Sequence, residues 1–324
     1  MTFAAILPHT KLYGGVKRFF ELGNVFLERG YIFIVFTPDG VAPGWYVGKV
    51  QTVKLSELPA YELEAIFITE TQFLPEVDKA KAKHKVLYFV RPSDNLKILR
   101  QYPSVELFAN STNAYETAKS KYNIEAFKAF GGINTNTFQP KPFVKKALGE
   151  PFVIMTYGRL VEKKKGTRLV VKACERLYKA GLPVKLLLFD TPVNEKAQKA
   201  IDDFKTNVPF EFVVNHPVHK NQELFHRADI YVSAEKKAGH SNTTAEAMAC
   251  GIPVIGTNSG TRDFLIDSVT GIVIWRWSWS ISKAIRLLMQ NEELRQTLAK
   301  NGRRKIEEFS WEALTDRILK HFGH

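Results

Sequence analysis

Cysteine is nearly absent from these 324 residues: only Cys174 and Cys250 occur, both among small residues in helical context. Two such thiols build no disulfide framework and no thiolate metal site, so they read as reduced core residues of a cytoplasmic protein. The eight histidines show no metal-ligand spacing. No apolar run is long enough to span a bilayer. The opening Phe3–Leu7 reads as a buried strand, not a cleaved leader. Low-complexity tracts are missing too, and 45% hydrophobic with 24% charged residues is ordinary for a globular chain. Negative charge is in shorter supply: 33 acidic residues face 46 basic ones, a net +13. Nucleic acid is one reading of that excess, yet no zinc-finger spacing, aromatic RNA-binding strand or helix-turn-helix accompanies it. The basic clusters Lys79–Lys85, Lys141–Lys146 and Lys163–Arg168 read better as solvated surface with an affinity for anionic lipid headgroups. Nucleic acid is therefore not expected as a partner, and peripheral contact with an anionic membrane is.

What the chain does contain is a regular alternation of short Val-, Ile- and Phe-rich runs with helical patterns. The first half has strand candidates at Phe3–Leu7, Ile32–Thr37, Ala65–Thr69, Val86–Val90, Val105–Ala109 and Ala126–Phe130. Between the first two, Val16, Phe19, Phe20, Gly23, Phe26 and Leu27 fall on one face at helical spacing. The stretch Asn136–Glu150, with prolines and lysines, reads as a linker. The second half restarts with strands at Phe152–Tyr157, Val184–Phe189, Phe210–Val214, Ile230–Ala234, Pro253–Gly256 and Ile272–Ile274. Helices are expected at Thr167–Ala180, Asn194–Asn207, Lys220–Arg227 and Asn242–Cys250, and one continuous helix over Asn301–Phe322. The class is α/β: parallel sheets covered on both faces, as two Rossmann-like domains facing a cleft. The expected boundaries are 1–140, 141–302 and a C-terminal helix, 303–324, returning to the first domain. A length of 324 residues suits two cores.

In such sheets ligands bind at the strand carboxyl ends, and three loops there suit a nucleoside diphosphate. His9–Gly15 ends in Gly14-Gly15, which opens a helix and lets a ligand approach the backbone. Gly158–Gly166 carries Arg159 and Lys165, a fork and a point charge within reach of phosphates. The third loop runs through Gly239, His240 and Ser241 to a helix. Ser241 is a good N-cap, leaving the N–H groups of Asn242, Thr243 and Thr244 as an anion site. Glu246, one turn on, is placed to accept two ribose hydroxyls. Taken singly, the loops also read as a tight turn, a solvated charge run and a capped helix. All three in this order point to a nucleotide.

With these motifs in view, the sequence resembles the retaining glycosyltransferases of family 4 (glycosyl transferases group 1), which have the GT-B fold. The resemblance rests on Gly14-Gly15 with Val16 and Arg18, Gly158-Arg159-Leu160 with Lys165-Gly166, and Glu246 through Val254 (EAMACGIPV). Thr270-Gly271 with Ile274, and Phe309-Ser310-Trp311-Glu312, complete it. It implies transfer of a hexose from a nucleotide sugar, UDP- or GDP-linked, to a glycan, lipid-linked or other hydroxyl acceptor. It further implies retention at the anomeric carbon, no bound divalent metal and no cofactor beyond the donor. Arg159 and Lys165 would neutralise the leaving diphosphate, Glu246 would hold the ribose, and the amides at Gly15 and after Gly239 would meet phosphate and sugar. His9, Lys11, Tyr13 and Arg91 would face the acceptor.

Several positions depart from the family pattern. The first glutamate of its paired motif is Ala238 here, with Glu235 three residues earlier as a substitute if the loop is rearranged. His240 lies in a changed loop, facing the sugar or simply at the surface. Arg91 stands where many relatives have a histidine, and Asp263 where a glutamate is common. These changes surround the sugar and not the nucleotide. A catalytically impaired GT-B module that binds nucleotide sugar is accordingly the alternative to an active transferase. A GT-B nucleotide-sugar epimerase fits the Phe309–Glu312 element less well.

Overall fold

The short apolar runs become strands of two separate, wholly parallel sheets. The structure is a computed structural model that describes every residue except 12, 13, 91–94, 144, 145, 147 and 148, and except the side chain of His219. The chain divides into one unit of Met1–Gly132 with Phe309–His324 and a second of Ile133–Glu308.

The first unit contains β1 (Thr2–Ile6), α1 (Gly14–Glu28), β2 (Ile32–Thr37), β3 (Gln51–Lys54), β4 (Leu63–Ile68), α2 (Leu74–Lys79), β5 (Ala82–Phe89), β6 (Val105–Ala109), α3 (Thr112–Tyr122) and β7 (Phe127–Lys128). Its seven strands run in the order β3-β2-β1-β4-β5-β6-β7. Strand order reverses between β1 and β4, and the segment carrying His9 and Lys11 leaves β1 there. The α1 face read from the sequence is buried at Val16, Phe19, Phe20, Gly23 and Phe26, with Leu27 packed partly against it. Full burial of one such aromatic contributes about 1.5–3 kcal/mol. Arg18 is the polar member of that face. It lies over the Tyr88 ring at 4.9 Å and the Trp311 ring at 5.4 Å, and donates to the Tyr88 hydroxyl at 3.1 Å.

The second unit contains β8 (Phe152–Tyr157), α4 (Thr167–Lys179), β9 (Val184–Asp190), α5 (Glu195–Asp202), β10 (Phe210–Val214), α6 (Asn221–Phe225), β11 (Ile230–Ser233), α7 (Asn242–Ala249), β12 (Val254–Gly256), β13 (Ile272–Val273), α8 (Ser278–Gln290) and α9 (Glu292–Glu307). The sheet order is β10-β9-β8-β11-β12-β13, all parallel. The order reverses between β8 and β11. The loops leaving those two strands therefore diverge over the position where such sheets hold their ligands.

The continuous helix expected over Asn301–Phe322 is corrected: α9 stops at Glu307, and α10 (Trp311–His321) follows separately. Ser310 caps α10 by accepting the Ala313 N–H at 3.1 Å, while the Phe309 carbonyl takes the N–H of Gly132 at 2.8 Å. The break lets Trp311, Leu314, Ile318, Leu319 and Phe322 join the core of the first unit. His321 meets Glu106 at 2.7 Å and His324 meets Glu64 at 3.1 Å. Burial works against ionising Glu106, but the hydrogen bonds from His321 and His84 outweigh it and hold the carboxyl below its ordinary range. The units divide at 132/133 and 308/309, where the sequence reading has 140/141 and 302/303. Residues 133–140 lie with the second unit because Arg303 donates to the carbonyls of Thr135 and Phe138, and the Phe138 ring packs on Phe225.

Candidate functional site

At the carboxyl end of β8 the chain makes a turn braced by the loop that leaves β11. Gly166 adopts φ +75° directly against the Ala234 carbonyl; a Cβ there would stand 2.2 Å from that oxygen. Lys236 N–H donates to the Lys164 carbonyl at 2.7 Å, and Arg276 donates to the carbonyls of Ala234 and Lys163. The turn holding Lys165 is thus fixed to the loop holding Glu235. Gly166→Ala is expected to destabilise the second unit by about 2–5 kcal/mol, combining left-handed strain with overpacking. Gly181, also left-handed at φ +78° but with open space around it, is the control, expected to lose only about 1–2 kcal/mol as alanine. Thermal denaturation of the two variants checks both values.

The two sequence-predicted cations, Arg159 and Lys165, converge on Tyr157. The Arg159 guanidinium lies 5.0 Å from the ring centroid and the Lys165 ammonium 5.6 Å. Arg159 donates Nε–H to Asp190 at 3.0 Å, one terminal nitrogen to Glu162 at 3.2 Å and the other to the Tyr157 hydroxyl. Asp190 is buried, and that burial raises its pKa, with Arg159 opposing the shift. Burial also pushes the Tyr157 hydroxyl up, so it stays protonated. Lys165 pairs with Glu235 Oε1. Glu235 is only 7% exposed, and its other carboxylate oxygen is buried without a hydrogen-bond partner among the described residues. Both cations are therefore held by carboxylates, one of which has an oxygen to spare.

Beside them α7 begins at Asn242. Ser241 occupies the N-cap position, but the expected cap bond is not made: its hydroxyl pairs with the Thr244 hydroxyl at 2.7 Å. Among the described residues no acceptor takes the N–H groups of Asn242, Thr243 and Thr244. The Thr243 hydroxyl accepts from Tyr231 at 2.8 Å, while Ser241 N–H is held by the Gly260 carbonyl at 2.8 Å. Glu246, one turn into α7, is 6% exposed. Burial raises the Tyr231 pKa, and the charges of both Glu235 and Glu246 add to that rise, so both carboxylates act on one phenol. Gly239 and His240 precede Ser241, the His240 and Phe264 rings meeting edge to face with centroids 5.4 Å apart. Ala238 donates its N–H to the Ser259 hydroxyl at 2.8 Å.

The second unit thus gathers Arg159, Lys165, Gly239, His240, Ser241, Asn242, Thr243 and Glu246 around the point where its strand order reverses. Gly14 and Gly15 open α1 in the first unit, with open space where a Gly15 Cβ would be. His9 and Lys11 also belong to the first unit; Tyr13 and Arg91 lie outside the described residues. The sequence reading did not include Asp190, Tyr157 and Arg276. Tyr157 had a signal, closing a strand just before Gly158; Asp190, 31 residues from Arg159, and Arg276 had none. Among the described residues no three His, Cys, Asp or Glu side chains assemble into a group that could hold a metal ion. Two cations, helix N–H groups without an acceptor among the described residues and a buried carboxylate instead suit an anion carrying hydroxyls.

Residues 138–305 match the family model described as glycosyl transferases group 1. Over 209 residues the chain is 29% identical to the capsular polysaccharide biosynthesis glycosyltransferase CapM of Staphylococcus aureus, covering 60% of this chain and 54% of that protein. The chain thus spans about half the length of that curated relative. Among solved structures, a glycosyltransferase from Rickettsia africae superposes with a TM-score of 0.80 at 15% identity, covering 99% of this chain and 97% of that one. Anabaena HepE in complex with UDP superposes with a TM-score of 0.78 at 15% identity over 100% of both chains. At these identities the structural likeness is one of fold.

Proposed function

Since the chain belongs to the glycosyl transferases of group 1, we propose that it moves a hexose from a nucleoside-diphosphate sugar, UDP- or GDP-linked, to a hydroxyl of a glycan or lipid-linked acceptor. The observation that carries this reading is the convergence of Arg159 and Lys165 on Tyr157, beside the free N–H groups of α7 and the buried Glu246. The diphosphate lies against the α7 N-terminus and the two cations; Glu246 accepts the ribose hydroxyls. The UDP held by HepE in its crystal structure is in keeping with that choice of nucleotide.

The chemistry follows from what holds each cation. Glu162 is the more exposed of the two carboxylates on Arg159, so the diphosphate displaces Glu162 while Asp190 keeps the guanidinium oriented. Glu235 does the same for Lys165. As the sugar–phosphate bond breaks, negative charge grows on the departing diphosphate, and fixed cations stabilise that state more than the ground state. The anomeric centre becomes oxocarbenium-like, and the leaving phosphate takes the proton of the incoming hydroxyl on the same face, giving retention. No step calls for a metal. His9 and Lys11 of the first unit, with Tyr13 and Arg91, receive the acceptor. Peripheral contact with an anionic membrane belongs to the same reading.

Calorimetry with UDP-, GDP- and ADP-sugars tests it, repeated on Glu246→Ala. One nucleotide is expected to bind in the micromolar range. The substitution should weaken it about 10- to 100-fold, as loss of hydrogen bonds to a charged group does. Silence from the whole panel overturns the donor site. Binding without product on any acceptor favours the impaired module suggested by Ala238.

A further inference from the structure

Of the five tryptophans, Trp45 is partly buried and gives its indole N–H to the Thr10 carbonyl at 2.8 Å, and Trp311 is core. The other three fall within five residues and are turned to solvent: Trp275 is 76% exposed, Trp277 61% and Trp279 55%. Among the described residues no acceptor takes their indole N–H groups. Burying one large aromatic is worth several times thermal energy, so three left exposed within five residues call for a partner.

Their neighbours narrow its chemistry. Trp279, Lys283, Arg286 and Leu287 are exposed at helical spacing on one side of α8. From Ile274 through Asn291 the chain has three basic residues, Arg276, Lys283 and Arg286, and no acidic one. Indoles with an apolar body and a free N–H, beside long basic side chains on a helix, suit the headgroup level of a bilayer that carries negative charge. No helix among the described residues is long and apolar enough to cross a membrane, so such contact lies at the surface. We infer that Trp275, Trp277 and Trp279, with Lys283 and Arg286, dock the second unit on an anionic lipid surface.

The position gives this a consequence. Trp275 and Trp277 follow β13 at the same sheet end as the Lys165 turn, and Arg276 between them is tied to the carbonyls of Ala234 and Lys163. Docking through these indoles brings the phosphate pocket to the bilayer, where a lipid-linked hydroxyl is presented. The inference deepens the membrane part of the reading above, and it stands or falls independently of nucleotide binding.

The test sediments the full chain with vesicles of phosphatidylcholine containing phosphatidylglycerol, and with phosphatidylcholine alone, while following tryptophan emission. Binding to the anionic vesicles with a blue shift is expected, at least tenfold weaker in Trp275→Ser/Trp277→Ser/Trp279→Ser. Lys283→Glu/Arg286→Glu should lose the preference for the anionic vesicles. Unchanged melting and unchanged nucleotide calorimetry show that the variants are folded. Equal sedimentation of wild type and triple variant overturns the inference. So does a blue shift with a soluble glucan and none with vesicles, which makes the indoles a sugar-stacking platform. Should nucleotide binding be absent while vesicle binding persists, the donor reading fails and the docking surface remains.

Discussion

Arg159→Ala is expected to lower kcat about 10²- to 10³-fold, the loss seen when one preorganised donor to a developing anion is removed. The same change should also reduce stability, and the two effects can be separated. Asp190 is buried and its Nε–H partner is Arg159. Removing one member of a buried pair costs about 3–5 kcal/mol when the other stays charged. Burial already raises the Asp190 pKa with Arg159 present, and removing the guanidinium raises it further. A carboxyl with a folded pKa above its unfolded one stabilises the fold below the unfolded pKa, and that contribution is lost as pH rises through the folded value. The melting deficit of the variant should therefore be largest near neutrality and shrink as Asp190 takes a proton on acidification. Arg159→Ala/Asp190→Asn should recover most of the melting temperature at neutral pH and none of the kcat. Steady-state kinetics and thermal melts across pH read both. Recovery of kcat in the double variant would show Arg159 to be a structural tie alone.

That separation draws on a partner the sequence could not supply. Strands β8, β9 and β11 were legible because parallel strands buried on both faces leave unbroken runs of Val, Ile, Leu and Phe. Edge strand β3, Gln51-Thr52-Val53-Lys54, leaves no such run, being partly exposed along its length. The Phe309–Ser310 break was hidden because apolar residues recur on both sides of it; only the Ser310 cap marks it. Arg159 and Lys165 were legible from a short, ordered loop, whereas Asp190 reaches Arg159 from 31 residues away, across a strand pairing. Ser241 was rightly placed at the start of α7, but its hydroxyl has a competing partner in Thr244. Local spacing cannot rank two hydrogen-bond partners of similar reach.

Glu235 shows the same limit most sharply and leads to the second large effect. Counting residues placed the family's sugar-side glutamate at Ala238 and left Glu235 as a substitute only if the loop is rearranged. In the fold, Glu235 is buried with one oxygen on Lys165 and one without a hydrogen-bond partner among the described residues. A buried carboxylate oxygen without a donor is costly, and a hydroxyl of the bound sugar is the donor that would satisfy it. Glu235→Ala should then lower kcat/KM for the nucleotide sugar by about 10- to 150-fold, the value of a hydrogen bond to a charged group. The free nucleoside diphosphate should respond differently. Lys165 loses its carboxylate and becomes more available to phosphate, so that affinity should hold or tighten slightly. Glu246→Ala, on the ribose side, should weaken sugar-bearing and free nucleotide alike. Calorimetry with the two ligands on the two variants gives four numbers. A sugar-selective loss at Glu235 beside a uniform loss at Glu246 assigns one carboxylate to each half of the donor. Equal losses at Glu235 would mean that it acts only by steering Lys165, and Ala238 would then mark a sugar pocket with no carboxylate from this loop.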